Sequence, residues 1–249
     1  MNNVVLSILA HPDDAEFLCA GTLTRLSQAG WEVHIASMTP GDCGSAELPP
    51  DAIAAVRRKE GAAAAALIGA TYHCVEERDL LVTYSEPAIE KVTRLMRQVR
   101  ASVVLTHAHE DYHLDHEMTS TVVRGAAFAA AVPNFQVARG MPPPLEHIPH
   151  LYYCDPIEGK DPLGREMVPG LLIDISGVIA TKEAMLAAHA SQRDWLMKHH
   201  GMDQYLQVMR DWSAHCGKTA GVAYAEGFRQ HKGHSYPQDD ILGTTLGGR

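Results

Sequence analysis

Residues 4–16 read VVLSILAHPDDAE. An uncharged run, apolar but for one serine, breaks into a histidine, a proline and two adjacent aspartates. Such a run suits a strand buried on both faces of a parallel sheet. In an open sheet of that kind, ligands bind outside the carboxyl ends of the strands. His11, Asp13 and Asp14 are therefore expected in one loop at that end.

Working outward, short β-branched runs recur at 33–37, 71–75 and 102–106, separated by helix-like stretches. A helix is expected over 16–29, stopping at Gly30. Another is expected over 52–68, with Asp51 as N-cap and Gly69 as stop, and a third over 87–99. This alternation predicts an α/β fold, a Rossmann-like three-layer sandwich with a mostly parallel central sheet. The second half reads differently. Eight of the 14 prolines fall in 133–169, so residues 133–170 are expected to form a loop-rich rim over the sheet. Further strands are expected at 151–155 and 171–175 and a long helix over 178–198, with an irregular tail after about 230. No repeat or low-complexity linker interrupts the chain, and residues 1–249 are read as one domain.

Composition narrows the function. The chain is 46% hydrophobic and 20% charged, as ordinary globular proteins are, and its net charge of −9 disfavours nucleic acid and anionic membranes. The five cysteines are scattered without a CxxC pair, so neither a disulfide framework nor a thiolate zinc site is expected, and a cytoplasmic location fits. The N-terminal apolar run lacks a basic flank and is too short for a signal peptide or a membrane span.

The fourth strand run leads into HAHEDYHLDHE, residues 107–117. Four of the chain's 15 histidines fall in 107–116, where an even spread would place fewer than one. Strands one and four are neighbours across the switch point of the usual doubly wound order, so the two polar clusters should face each other. A catalytic zinc site takes three nitrogen or oxygen ligands and keeps one position open. His11 and Asp14, three residues apart, can aim at one ion, and a third ligand from 107–116 would complete the set. Asp13 and a remaining histidine are then left for proton transfer. Plainer roles compete: Asp14 as N-cap of the 16–29 helix, Asp115 as cap of a helix over about 117–131, and His107 and His109 as supporting polar groups. His199, His200, His231 and His234 read as surface residues. A nucleotide-binding module would need a Gly-rich turn after the first strand, and HPDDAE is not one.

AHPDDAE (10–16) followed by Gly21-Thr22-Leu23 resembles the opening signature of the LmbE-like, or PIG-L, de-N-acetylase family. HLDH (113–116) resembles its second signature, usually H-P-D-H, with Leu114 in place of proline. RRKEGAAAAALIGA (57–70), HASQ (189–192) and YAEGF (224–228) resemble weaker blocks, so the likeness spans roughly residues 4–230. The resemblance implies one Zn2+ per chain held by His11, Asp14 and His116; the same ligand set accepts Fe2+. It implies Asp13 as the general base, His113 as the group that polarises the amide carbonyl, and Asp115 as the partner that fixes an imidazole. Asp42, Arg57 and Asp79 match positions that contact substrate hydroxyls; for Arg57 and Glu60 a simple helix-surface pair competes, and for Asp42 a turn-forming role. The implied activity is removal of an acetyl group from a small N-acetylated amino sugar or sugar conjugate. A hydratase, or a hydrolase of a different amide, is the alternative on the same scaffold. The proline-rich rim is compatible with a homo-oligomer.

Overall fold

The computed structural model describes residues 3–136, 139–192 and 204–248. Seven strands form one sheet: β1 (Val4–Leu9), β2 (Glu32–Ser37), β3 (Thr71–Cys74), β4 (Val103–Thr106), β5 (His150–Cys154), β6 (Leu171–Asp174) and β7 (Ala225–Gln230), in the order β3-β2-β1-β4-β5-β7-β6. Strands β1 to β5 pair in parallel, and β7 runs antiparallel to both β5 and β6. The expected Rossmann-like sandwich is what the chain forms.

Strand β1 shows why its sequence is apolar throughout. Its alternate residues Val5 and Leu9 enter one core, with helices α2 (Ala20–Gln28), α3 (Pro50–Ala66), α6 (Ile179–Ala187) and α8 (Ile241–Leu246). Leu6 and Ile8 enter the opposite core, with α4 (Glu86–Val99) and α5 (Leu114–Ala130). Both faces of the strand are buried, so neither tolerates a charge. Because β1 pairs with β2 on one side and β4 on the other, the loops after Leu9 and Thr106 leave the sheet side by side.

Several boundaries differ from the sequence-based expectations. The 16–29 helix is two helices, α1 (Asp14–Leu18) and α2, broken at Cys19 (φ −143°, ψ 4°). Helix α3 is entered through Pro49 and Pro50, with Asp51 in its first turn and not at its cap. Helix α5 starts at Leu114 and is capped by His113, not Asp115. The helix expected over 178–198 is described as α6, followed by a turn, and residues 193–198 lie outside the described residues. The tail is not all irregular, since α8 lies in it, capped by Asp240 accepting from the Gly243 amide. A long helix, α7 (Gln204–Ala220), precedes β7 and has no counterpart in the sequence-based assignment.

One buried residue secures the rim. Arg97 of α4, 2% exposed, donates to the carbonyls of Ala129, Ala130, Val132, Phe135 and Pro142, closing the end of α5 and the start of the rim. Removing a donor that satisfies several buried carbonyls leaves them desolvated and unpaired. Arg97→Leu is expected to cost on the order of 3 kcal/mol in urea unfolding, and Arg97→Lys to recover only part, because an ammonium lacks the planar fork.

Candidate metal centre and active-site pocket

The loop after β1 folds back on itself. The Asp14 carboxylate accepts the backbone N–H of His11 at 2.7 Å, and α1 begins at once. This locks Asp14 Oδ2 inward, so it is no simple helix cap. Three imidazoles converge on that oxygen: His11 Nδ1 at 3.3 Å, His107 Nε2 at 3.1 Å and His116 Nε2 at 3.6 Å. Burial alone would raise the Asp14 pKa, but the three rings outweigh it and hold the carboxyl well below its ordinary value.

The outer nitrogens of the two candidate ligand rings are also held. His116 Nδ1 meets Asp111 Oδ1 at 2.9 Å, and His11 Nε2 meets Asp79 Oδ1 at 3.1 Å. A carboxylate behind each imidazole is the pattern that orients metal-bound histidines and raises their basicity. Ligand atoms of His11, Asp14 and His116 lie within 4.8 Å of one another. Two overlapping groups, His11–His113–Asp115 and His107–Asp111–His116, meet the same distance test. The second is wholly buried, and in the first His113 has no carboxylate behind its ring, its Nδ1 accepting the Asp115 amide. The His11–Asp14–His116 set, of borderline hardness and with His11 and Asp14 on a cavity, therefore fits a zinc or ferrous ion best among the described residues.

His107 is fully buried. Its ring stacks on His116 (centroids 3.9 Å apart, 8° between planes), and its Nε2 lies between the Ala10 amide at 2.9 Å and Asp14 Oδ2 at 3.1 Å, bonding one of them at a time. Burial, with His116 beside it, depresses its pKa to about 4, so it stays neutral. It braces both Asp14 and His116. His109 instead contacts Ser120 and the Tyr153 ring, away from the centre. His231 is half-buried and bonded to the Tyr153 hydroxyl, a correction to its expected surface position; His199 and His200 lie outside the described residues.

Asp13 lines the cavity beside this centre and is clamped on both oxygens. Arg57 Nη2 donates to Oδ1 at 2.8 Å and the Tyr205 hydroxyl to Oδ2 at 2.5 Å. Burial pushes its pKa up, but Arg57, with help from His189 and the Tyr205 hydroxyl, keeps it below the ordinary carboxylate value. Arg57 and Glu60 do not form the simple surface pair: Glu60 instead accepts the amide and hydroxyl of Ser191. His113 Nδ1 accepts the Asp115 amide at 3.2 Å. That hydrogen bond places the ring proton on Nε2, leaving a donor on the pocket wall.

Asp115 stands beside an imidazole, that of His11, whereas Asp42 occupies a different position from the expected one. The Asp115 carboxylate accepts from Leu80 N–H and lies 3.6 Å from His11 Nε2, whereas the imidazole of His116 is fixed by Asp111. Asp42 accepts the Asp79 amide at 2.9 Å and Arg78 Nε at 3.2 Å, shaping the turn that carries Asp79, and it is absent from the described cavity lining. The residues missed in the sequence are Asp111, two positions before His113, and Tyr205, on a helix 192 residues from Asp13. Only Asp111 carried a local signal, its place inside the histidine-rich run.

The cavity has a volume of about 680 Å³ and opens to solvent over His11, Asp14, Arg57, Asp79, His113 and Tyr205. Residues 6–127, which contain both clusters, match the family model described as PIG-L: GlcNAc-PI de-N-acetylase. These residues form a PIG-L domain. The resemblance seen in the HPDD and HLDH motifs is thereby borne out. Similar proteins include the diacetylchitobiose deacetylase of Thermococcus kodakarensis, 25% identical over 238 residues that cover 90% of this chain and 82% of that one. The 4-oxalmesaconate hydratase of Pseudomonas putida is 22% identical over 241 residues, 90% of this chain and 87% of that one. Among solved structures, N,N'-diacetylchitobiose deacetylase from Pyrococcus horikoshii superposes with a TM-score of 0.77 at 26% identity, covering 96% of this chain and 88% of that one. No described helix is long and apolar enough to cross a membrane.

Proposed function

We propose that this chain is a metal-dependent amide hydrolase that removes an acetyl group from an N-acetylated amino sugar or sugar conjugate. The observation that carries the reading is the convergence of His11, Asp14 and His116 beside a clamped, ionised Asp13 on one open cavity. The relatives that act as deacetylases support the reaction class.

A zinc or ferrous ion held by His11, Asp14 and His116 supplies a Lewis acid and brings the pKa of a coordinated water toward about 7. The chain's own groups do the rest. Asp13 takes the proton of the attacking water. Each carboxylate oxygen has about two lone-pair sites, so Arg57 and Tyr205 fix its direction while leaving an acceptor site on each oxygen. As the acetamide carbon becomes tetrahedral, the Nε2–H of His113 donates to the developing oxyanion; donors already in place for such charge are commonly the largest contribution to rate. The proton on Asp13 passes to the departing nitrogen, and acetate and the free amine leave. Asp79, behind His11, keeps that imidazole oriented throughout.

Metal removal tests the reading. Dialysis against a chelator is expected to lower acetate release from N-acetylated sugars by at least about 10²-fold, with recovery on adding Zn2+ or Fe2+. Undiminished acetate release from protein shown to be metal-free would overturn it.

The hydratase relative motivates a second reading, water addition to a polycarboxylate. The described lining argues against it. Asp13, Asp14 and Asp79 face the cavity, and Arg57, its one permanent cation among the described residues, is paired with Asp13. With a divalent ion at His11, Asp14 and His116, the ion and Arg57 balance the three carboxylates, so the lining offers a polycarboxylate no surplus positive charge. Assaying 4-oxalmesaconate beside the acetylated sugars decides between the two.

A further inference from the structure

A second, larger cavity of about 920 Å³ lies outside the catalytic pocket, between α7 and the rim segment 155–169. The two cavities share a wall, Ile157 and Val208. Helix α7 lines both. Tyr205, Val208, Trp212, His215 and Thr219 follow a 3-4-3-4 spacing, which places them on one helix face. Tyr205 touches Asp13, Val208 stands at the junction, and Trp212 and His215 lie in the outer cavity. At 1.5 Å per residue, Trp212 stands about 10 Å along the helix from Tyr205, roughly the span of two pyranose rings.

The Trp212 ring is held in place. It stacks on His215 (5.3 Å between centroids, 13° between planes). Its far edge fits over Gly159, where a Cβ would come within 2.8 Å of Cη2. The turn that makes this fit possible has two successive residues in the left-handed region, Glu158 (φ 69°) and Gly159 (φ 59°). A non-glycine residue held there is a local cost that closer packing elsewhere must offset. Val168, 78% exposed, and Val208, 43% exposed, give the groove apolar walls. Its charged lining is mostly acidic: Glu158, Glu166 and Asp211 against Lys160, with Asp155 already paired to Arg229. An aromatic face with carboxylates around it suits the ring C–H groups and hydroxyls of a neutral or amine-bearing sugar and repels an anionic one.

We infer that the groove along α7 is an extension subsite, with Trp212 as its platform, for the ring that follows the acetylated sugar in an uncharged or amine-bearing oligosaccharide or glycoside. Trp212 is thus a specificity-determining residue and takes no part in the chemistry. The inference rests on the hydrolase reading for its substrate and on the adjacency of the two cavities, which have Ile157 and Val208 in common, for its position.

The experiment compares N-acetylglucosamine with its β-1,4-linked dimer, measuring binding by calorimetry and turnover by acetate release, in the wild-type protein and in Trp212→Ala and Trp212→Phe. The wild type is expected to prefer the dimer by about tenfold or more in both Kd and kcat/KM. Trp212→Ala should remove that preference through Kd and KM, leave monosaccharide turnover unchanged, and Trp212→Phe should restore most of it. Monosaccharide turnover reports whether the variant is folded. Equal binding of monomer and dimer by the wild type, or equal losses on both substrates in Trp212→Ala, would overturn the subsite. Dimer-selective binding that depends on Trp212, without acetate release from either sugar, would instead keep the subsite and refute the hydrolase reading.

Discussion

Asp13→Asn is expected to lower acetyl hydrolysis by about 10²–10⁴-fold while leaving metal content unchanged, because a positioned general base contributes about that much and the amide has no comparable basicity. The substitution keeps the shape of the side chain. Its carbonyl oxygen can still accept from Arg57 or from Tyr205, which now hold one oxygen each. The proposed ligands His11, Asp14 and His116 are untouched. The loss should therefore appear in kcat, with substrate affinity largely kept. Arg57, buried and stripped of its counter-charge, will also destabilise the fold somewhat. Thermal unfolding and metal analysis on the same sample separate that effect from the chemistry. A variant that keeps its metal and its fold and hydrolyses at the wild-type rate would show that Asp13 is not the base.

The contrast between what this sequence discloses and what it conceals follows from the range of the interactions involved. Strands β1 to β6 were visible because strands buried on both faces are written as unbroken apolar runs. Strand β7 was not, since AEGFRQ carries a buried glutamate and a glycine where an apolar pattern would be sought. The break at Cys19 is equally hidden. Nothing local to 16–29 announces it, and the carboxylate that accepts the Gly21 and Thr22 amides left free by the break, Glu226, lies more than 200 residues away. The proposed centre obeys the same division. His11, Asp13, Asp14, His113 and His116 sit in two short motifs at the ends of neighbouring strands, so sequence and topology suffice to bring them together. Asp111 and Tyr205 act across space, one on His116 and one on Asp13, and Asp115 occupies a motif position whose contacts are decided by the 77–80 turn. Motif position located the loop residues, and only the packed chain distinguished partners among them.

That remote carboxylate carries the largest expected effect on stability. Glu226 of β7 accepts Lys182 Nζ of α6 at 2.6 Å and the Gly21 amide at 2.9 Å on one oxygen, and the Thr22 amide at 2.7 Å on the other. Lys182 is 0% exposed and Glu226 3%. The two amides belong to the first turn of α2, whose unpaired N–H groups and positive dipole end favour an anion. The close approach leaves no room on Gly21, where a Cβ would fall within 2.7 Å of Ile175. Glu226→Gln keeps the shape but abandons the buried ammonium and offers one acceptor oxygen where two were used, its NH₂ facing a donor on the other side. The expected cost is about 3–5 kcal/mol, the range for breaking a buried pair by removing one partner. If the uncompensated charge is the cause, Lys182→Met added to Glu226→Gln should return a large part of that loss. Urea unfolding of the two variants beside the wild type measures both values. A single variant within about 1 kcal/mol of wild type, or a double variant no better than the single, would show that the pair does not hold these layers together. Because α2 follows α1 through Cys19 alone, and α1 begins with Asp14, this clamp on α2 also sets where the first proposed metal ligands stand. Loss of Glu226 should therefore weaken metal retention before the sheet itself unfolds.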